Sequence, residues 1–226
     1  MAIIHNSIIR GYNSIFLQAR NVSLADYKDF VGYAYAWYEL LDAHHRGEEE
    51  YAFLMIKEQV GIKGFMQPNI EQHEAFYDGL KEYAAYLKSL CSDASAFSGA
   101  KLLAIMDSFG PAPFTHFNDE IPTLLALSQY ATKLNVQKII DEEGDKTMGA
   151  LSKVSGLPFF FLNHDLMFEE GLWAEFPPVP KPLKWALCHV FTYYNQNWWK
   201  FASCDTYGRP KPLYCPDVPK VVVEDY

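Results

Sequence analysis

The chain has 226 residues, 50% hydrophobic and 16% aromatic, which is enough to bury a sizeable core in one large domain or in a compact domain with an extension. A formal charge of −9 speaks against nucleic acid or anionic lipid as the main partner, because both select basic surfaces. The opening MAIIHNSIIRGYNSIF has no basic segment followed by an apolar one, and polar residues interrupt every apolar run of bilayer-spanning length, so the sequence reads as cytoplasmic with no membrane partner.

A first helix is predicted over residues 2–19, where His5, Ile8/Ile9, Tyr12 and Ile15/Phe16 form one stripe. After a break at Asn21-Val22-Ser23, a second helix is predicted from about 25 to 59, capped by Ser23 or Asp26. Its inner stripe reads Trp37, Leu41, His44, Glu48, Tyr51 and Met55. Gly61, Gly64 and Pro68-Asn69 mark a turn before a third helix with Ile70, His73, Tyr77, Leu80, Ala84 and Leu87 at the same spacing. A fourth begins near 99, meets Gly110-Pro111-Ala112-Pro113, which should kink or interrupt it, and resumes as THFNDEIPTLLALSQY, with Pro122 bending it beside Glu120. From about 135 the texture changes to a segment rich in Phe, Pro and Gly, then a short helix-like run, PLKWALCHVFTYYNQNWWKF, and a Pro-rich tail. Its aromatic content predicts a cap packed on the helices rather than a linker. The domains expected are therefore 1–134 and an extension, 135–226.

Histidines and carboxylates recur at one-turn spacing in these stripes: His5, His44/Glu48, His45/Glu49, His73/Tyr77 and His116/Glu120. An isolated H-x3-E is usually a surface pair, and a lone stripe histidine is usually a hydrogen-bonded core residue. Burying four unpartnered imidazoles and two carboxylates on four successive helices would be costly, and a metal pair removes that cost. Helix two offers two faces about 100° apart. His44/Glu48 is preferred, because extending it by a turn reaches Trp37, Leu41, Tyr51 and Met55. His45 and Glu49 then become supporting or outward residues, with the pair His45/Glu49 as the alternative ligands.

The segments HNSIIRGYNSI, HHRGEEE, EQHEAF and HFNDEIPTLL resemble, in order and spacing, the four helices of hemerythrin-like HHE cation-binding domains, most closely the fungal members. The tail around GRPKPL is similar to their C-terminal extension. The resemblance implies an all-α, antiparallel four-helix bundle with a non-haem di-iron centre, manganese or a mixed pair being the alternative metals. Its ligands would be His5, His44, Glu48, His73, His116 and Glu120, with Glu48 and Glu120 bridging and taking part in catalysis. Where oxygen-carrying hemerythrins have a further histidine one turn after the one matching His73, this chain has Tyr77. One metal would then have an open position, or Tyr77 would ligate or hydrogen-bond to bound oxygen as a third catalytic residue.

The function expected is an oxidoreductase that activates dioxygen to oxidise a small apolar organic substrate, with electrons from that substrate or a separate reductase. The alternative is non-catalytic binding of oxygen, iron or nitric oxide. No G-x-G-x-x-G, Walker A or G-x-S-x-G pattern supports nucleotide cofactors or serine hydrolysis. His164 with Glu169 and Cys188-His189 are expected to be structural, and the four scattered cysteines, with no C-x-x-C pair, are expected to be reduced. The aromatics of the extension, Phe159 to Phe161 above all, are expected in the core, with a chamber above the metals as the other placement.

Overall fold

In a computed structural model that describes Met1–Pro216, the ordered elements are helical: α1 (Ala2–Gln18), α2 (Tyr27–Gly47), α3 (Phe53–Val60), α4 (Gln67–Ser89), α5 (Gly99–Phe109), α6 (Pro111–Ala126), α7 (Val136–Ala150), α8 (Gly156–Leu162) and α9 (Lys181–His189). Among the described residues β-pairing is limited to one bridge, Cys204 with Pro210. The end of the predicted extension and of its Pro-rich tail, residues 217–226, lies outside the described part. None of the described helices is long and apolar enough to cross a membrane.

The second predicted helix is continuous but not uniform. Between α2 and α3 the chain makes a π-turn, Glu48–Ala52, which inserts extra backbone into the helical register. The buried stripe consequently passes from Glu48 to Ala52, Phe53 and Ile56, and the expected Tyr51 and Met55 are only half-buried. Tyr51 turns instead to Glu142 on α7, to which its hydroxyl donates.

The fourth predicted helix is broken where the prolines require. Pro111 has no N–H to offer the preceding turn, so α5 ends at Phe109 and α6 starts at Pro111, while Gly110 still donates to Met106 O at 2.7 Å. A side chain at Gly110 would collide with the Tyr12 hydroxyl, which donates to Met106 O. Pro122 is accommodated inside α6.

The core runs from α1 and α2 into α4, α5 and α8. Ile8, Tyr12 and Ile15 meet Phe30, Tyr33, Trp37 and Leu41, and on the other side Leu80, Tyr83, Leu87, Leu102 and Met106. The Phe159–Phe161 run forms the buried helix α8, and a Cβ at Gly11 would stand 2.5 Å from the Phe159 ring, so α1 and α8 touch through that glycine. These aromatics therefore fill the core and do not roof the metal candidates. Trp173 and Trp185 are exposed.

Two buried amides fasten the later segments to the first helices. Asn163 Oδ1 accepts from the Tyr33 hydroxyl and from Ser203 N and Oγ. Gln18 Nε2 donates to Phe201 O, and its Oε1 accepts the backbone N–H groups of Tyr214 and Cys215. Each supplies paired hydrogen bonds where an unpaired polar group would be costly. Helix α7, which the sequence reading left unassigned, is capped by Asn135 and turns Ile139, Glu143 and Thr147 inward along one stripe.

Candidate metal centre

The four segments singled out by their histidines converge. His5 from α1, His44 and His45 from α2, Glu48 from the π-turn, His73 from α4 and His116 and Glu120 from α6 are all buried. His5 Nε2 lies 3.1 Å from His44 Nε2 and 3.3 Å from Glu120 Oε2. His44 Nε2 is 3.3 Å from Glu48 Oε1, and the other Glu48 oxygen is 3.5 Å from His73 Nε2. His73 Nε2 is 2.9 Å from His116 Nε2. Two clusters of donor atoms result, His5/His44/Glu48 and His45/Glu48/His73/His116, with Glu48 common to both.

These spacings are those of donors arranged around a shared point. Atoms about 2.1 Å from one ion, at about 90–110° to each other, stand ~3.0–3.4 Å apart. Neither oxygen of Glu48 or of Glu120 makes a hydrogen bond, close as the imidazoles are, and His45 Nε2 is equally without a partner.

The outer nitrogens fix the tautomers of two imidazoles. His73 Nδ1 is 2.6 Å from Glu49 Oε1, a carboxylate oxygen that can only accept, so the proton sits on Nδ1 and Nε2 carries a lone pair. His116 Nδ1 is 3.2 Å from Gln72 Oε1, and the Gln72 amide is turned that way because its Nε2 donates to Asp119 Oδ2 at 2.8 Å. His116 Nε2 therefore also carries a lone pair. Two lone pairs facing each other at 2.9 Å repel unless a cation lies between or beside them, and outer acceptors of this kind orient metal-binding histidines. Protonation is a poor substitute, because burial drives His73 down to about 4 and His116 down to about 3. Burial also drives His44 and His45 well below the usual imidazole value, with the neighbouring imidazoles adding to it. Burial, followed by the adjacent Glu120, pushes Glu48 well up. For Glu120 burial acts in the same upward direction, but His5 and His116 outweigh it and hold the group below the usual range.

The choice between His44 and His45 made from the sequence is overtaken by the geometry. Taking His44 as zero, a helix puts Glu48 at roughly 40° and His45 at roughly 100°, so the carboxylate stands between the two imidazoles. His44 reaches toward His5, and the His45 ring lies 4.2 Å from that of His73. His45 is not an outward residue; it is inside the cluster. Glu49, next around the helix, is 42% exposed and takes the outer nitrogen of His73.

Tyr77 is the other correction. The buried stripe of α4 (His73, Phe76, Leu80, Tyr83, Leu87) is centred on the Phe76 side of His73, which leaves Tyr77 roughly 80° from its middle. Tyr77 is 49% exposed with Lys81 Nζ 4.0 Å over its ring, and so is removed from the catalytic set. The rings that close over the cluster are Phe117, stacked 4.4 Å from His5, Phe76, 5.0 Å from His45, and Phe53, 5.7 Å from His73.

The remaining candidates do not assemble. His164 packs between Phe160 and Phe176, while Glu169 accepts from the Trp173 indole N–H. His189 lies against Trp185 and Tyr207, the Cys188 thiol is pushed up to about 11 by burial, and the four cysteines are unpaired. One buried acid the sequence reading missed lies outside both donor groups: Glu143 of α7 is buried with one oxygen unpartnered. Its signal was the 3.6-residue stripe Ile139, Glu143, Thr147, which puts a carboxylate on an inward face.

A cleft of about 600 Å³ opens between α2 and α7. Tyr35, Tyr38, Arg46, Tyr51 and Lys146 line it, and Gly47 and Thr147 form part of its wall beside Glu48 and Glu143.

No protein-family model matches the chain, and no solved structure matches it. A dimeric xanthone biosynthesis cluster protein of Cryptosporiopsis sp. (strain 8999) is 33% identical over 215 residues, a match that covers 94% of this chain and 80% of that protein. At that identity and coverage the chain belongs to the same family as this xanthone-cluster protein.

Proposed function

We propose that the chain is a hemerythrin-like four-helix bundle whose walls are α1, α2 with its π-turn, α4 and α6, and that it holds a pair of non-haem irons which bind dioxygen and oxidise a small organic molecule. The observation that carries this reading is the His73–His116 pair, two lone pairs turned on each other at 2.9 Å within a buried set of imidazoles and carboxylates. His5, His44, His45, His73, His116 and Glu120 would hold the ions together with Glu48, which is common to both groups of donors. Imidazole and carboxylate donors suit iron, and manganese or a mixed pair could use the same set. Such a pair, when bound, supplies reversible binding and reduction of dioxygen.

The chain's own residues do the rest. Glu49 and Gln72 keep the outer imidazole protons in place, so the inner nitrogens stay free. Phe53, Phe76 and Phe117 keep water from the donors. Electrons come from the substrate or from an external reductase.

The relative's name ties that protein to a dimeric xanthone biosynthesis cluster. A xanthone is a planar fused aromatic ketone, and a Tyr-lined cleft edged by Arg46 and Lys146 suits a flat phenolic molecule, which we take as the substrate class. The binding-only reading is favoured by a specific observation: with His45 inside, the cluster offers five imidazoles, and a histidine-rich site leans toward reversible binding.

The test is metal analysis and an optical spectrum in air on protein from iron-supplemented cells, then oxygen uptake with a hydroxyxanthone as probe. About two irons per chain and probe-dependent oxygen consumption support the oxidase. Oxygenation without consumption supports the binding protein. Protein that holds no metal under these conditions sinks both.

A further inference from the structure

We infer that Glu39 is the residue of the α2–α7 cleft that receives a ring hydroxyl of the bound aromatic molecule, while Lys146 on the α7 wall takes an acceptor group of the same molecule. The inference rests on the aromatic-ligand reading of the cleft above and does not involve the metals. It narrows the ligand from any flat phenol to a hydroxyaromatic that also carries a ring ketone or a comparable acceptor.

The charged side chains of the cleft are Glu39, Asp42, Arg46, Glu50 and Lys146. Arg46 lies 3.3 Å from Glu50 and 4.0 Å from Asp42, so these three form one ion cluster. Among the described residues Glu39 has no cation at ion-pair distance, and its partner is the neutral hydroxyl of Ser155. Among the same residues Lys146 has no carboxylate at that distance. Its ammonium stands 4.6 Å over the Tyr51 ring, whose hydroxyl is held by Glu142. One acceptor and one donor are thus left uncommitted around a single space of about 600 Å³.

Ser155 shows that the carboxylate is held in place. It is buried at the N-cap position of α8, where a serine oxygen ordinarily accepts a backbone N–H of the first helical turn. Here it makes no such bond and donates instead to Glu39 Oε2 at 2.5 Å. Glu39 itself lines the cleft, and its Oε1 makes no hydrogen bond among the described residues. One oxygen is therefore anchored and the other is left for a ligand. Burial pushes the Glu39 carboxyl up, which makes its ionised form a stronger acceptor for a phenolic O–H. Tyr35 and Tyr38, with ring centroids 5.4 Å apart, supply aromatic surface from the same helix. A carboxylate that served only to tie α2 to α8 would be indifferent to a ligand's hydroxyl.

The experiment is calorimetric titration of the metal-free full chain with a hydroxyxanthone, its hydroxyl remote from the ring carbonyl, and with the methyl ether of the same compound. Wild type, E39Q, S155A and K146M are compared, and the two probes are set against each other within each variant, so that a general loss of folding is not read as loss of one contact. Wild type is expected to bind the hydroxyxanthone about tenfold more tightly than the ether, the worth of a charge-assisted hydrogen bond. E39Q should lose most of that preference and S155A a smaller part, whereas K146M should weaken both probes by the same factor, because both keep the carbonyl. Wild type that binds neither probe overturns the aromatic-ligand reading of the cleft and this inference with it, while leaving the metal reading untouched. Equal affinity of wild type for the two probes, or a preference that survives in both E39Q and S155A, overturns the role of Glu39 alone. K146M that binds both probes as wild type does overturns the role of Lys146.

Discussion

Replacing Glu49 by Ala removes the acceptor that holds the outer proton of His73, without touching any inner donor. The contact is short, 2.6 Å, and charge-assisted, but Glu49 is 42% exposed, so solvent screens it. Outer partners of metal-bound histidines contribute about 10- to 100-fold in affinity. Screening puts E49A at the lower end, about tenfold or ~1.4 kcal/mol. The assay is competition between protein and a chelator for Fe²⁺ or Co²⁺ at fixed pH. The control is E50A, whose carboxylate is exposed and pairs with Arg46 at 3.3 Å. E50A should match wild type, and E48A should lose the metal. If E49A and E50A bind alike, His73 is oriented by its packing against Phe53 and Phe76, and the tautomer argument fails.

Three further outcomes follow from the same geometry. Y77F should leave metal content and oxygen uptake at wild-type levels, since Tyr77 lies outside the cluster, whereas H45F should weaken metal binding about tenfold or more, both read by metal analysis. G47A should destabilise the protein by about 1–3 kcal/mol in urea unfolding, because the added methyl has to displace Thr147 or Glu143. His164, 2% exposed and driven to about 4 mainly by burial, gives a pH signature independent of the metal. Its folded value lies below the unfolded value of about 6.5, so the unfolded chain takes up the proton first, and stability is lost as pH falls through that window by about 1.4 kcal/mol per unit. Urea midpoints measured from pH 7 to 4.5 should therefore fall less steeply in H164F than in wild type, and equal slopes would refute the assignment.

The helices that carry the histidines were legible because amphipathic spacing, proline breaks and glycine turns act locally. The break at Gly110-Pro111 needs only the missing N–H and the close Tyr12 hydroxyl. The register beyond Glu48 was not legible. A π-turn changes which residues face inward, and EEEYA has no proline or glycine to announce it. The Phe159–Phe161 run was recognisable as core, but not as a helix slotted against Gly11, because a short wholly apolar run has no periodic signature. Helix α7 has inward positions that include Glu143, and a carboxylate on an apolar stripe reads as a defect until the neighbouring helix is seen.

The site itself was read through pairs at i and i+4, and that unit misled at two positions for one reason. A pair test asks which of two faces turns inward, whereas a dinuclear centre spans a wider arc than one donor. On α2 the arc takes in His44, Glu48 and His45 together, so the adjacent histidines need not compete, and each looks to a different group of imidazoles with Glu48 common to both. On α4 the arc is occupied by His73 and the apolar ring of Phe76, and the tyrosine at i+4 falls on the exposed side although it shares a nominal face with His73. The fifth imidazole that the spacing on α4 lacks is therefore supplied by α2. On the proposed two-ion reading, what would serve a second ion is the doublet HHRGE, where Glu48 divides the angle between two histidines.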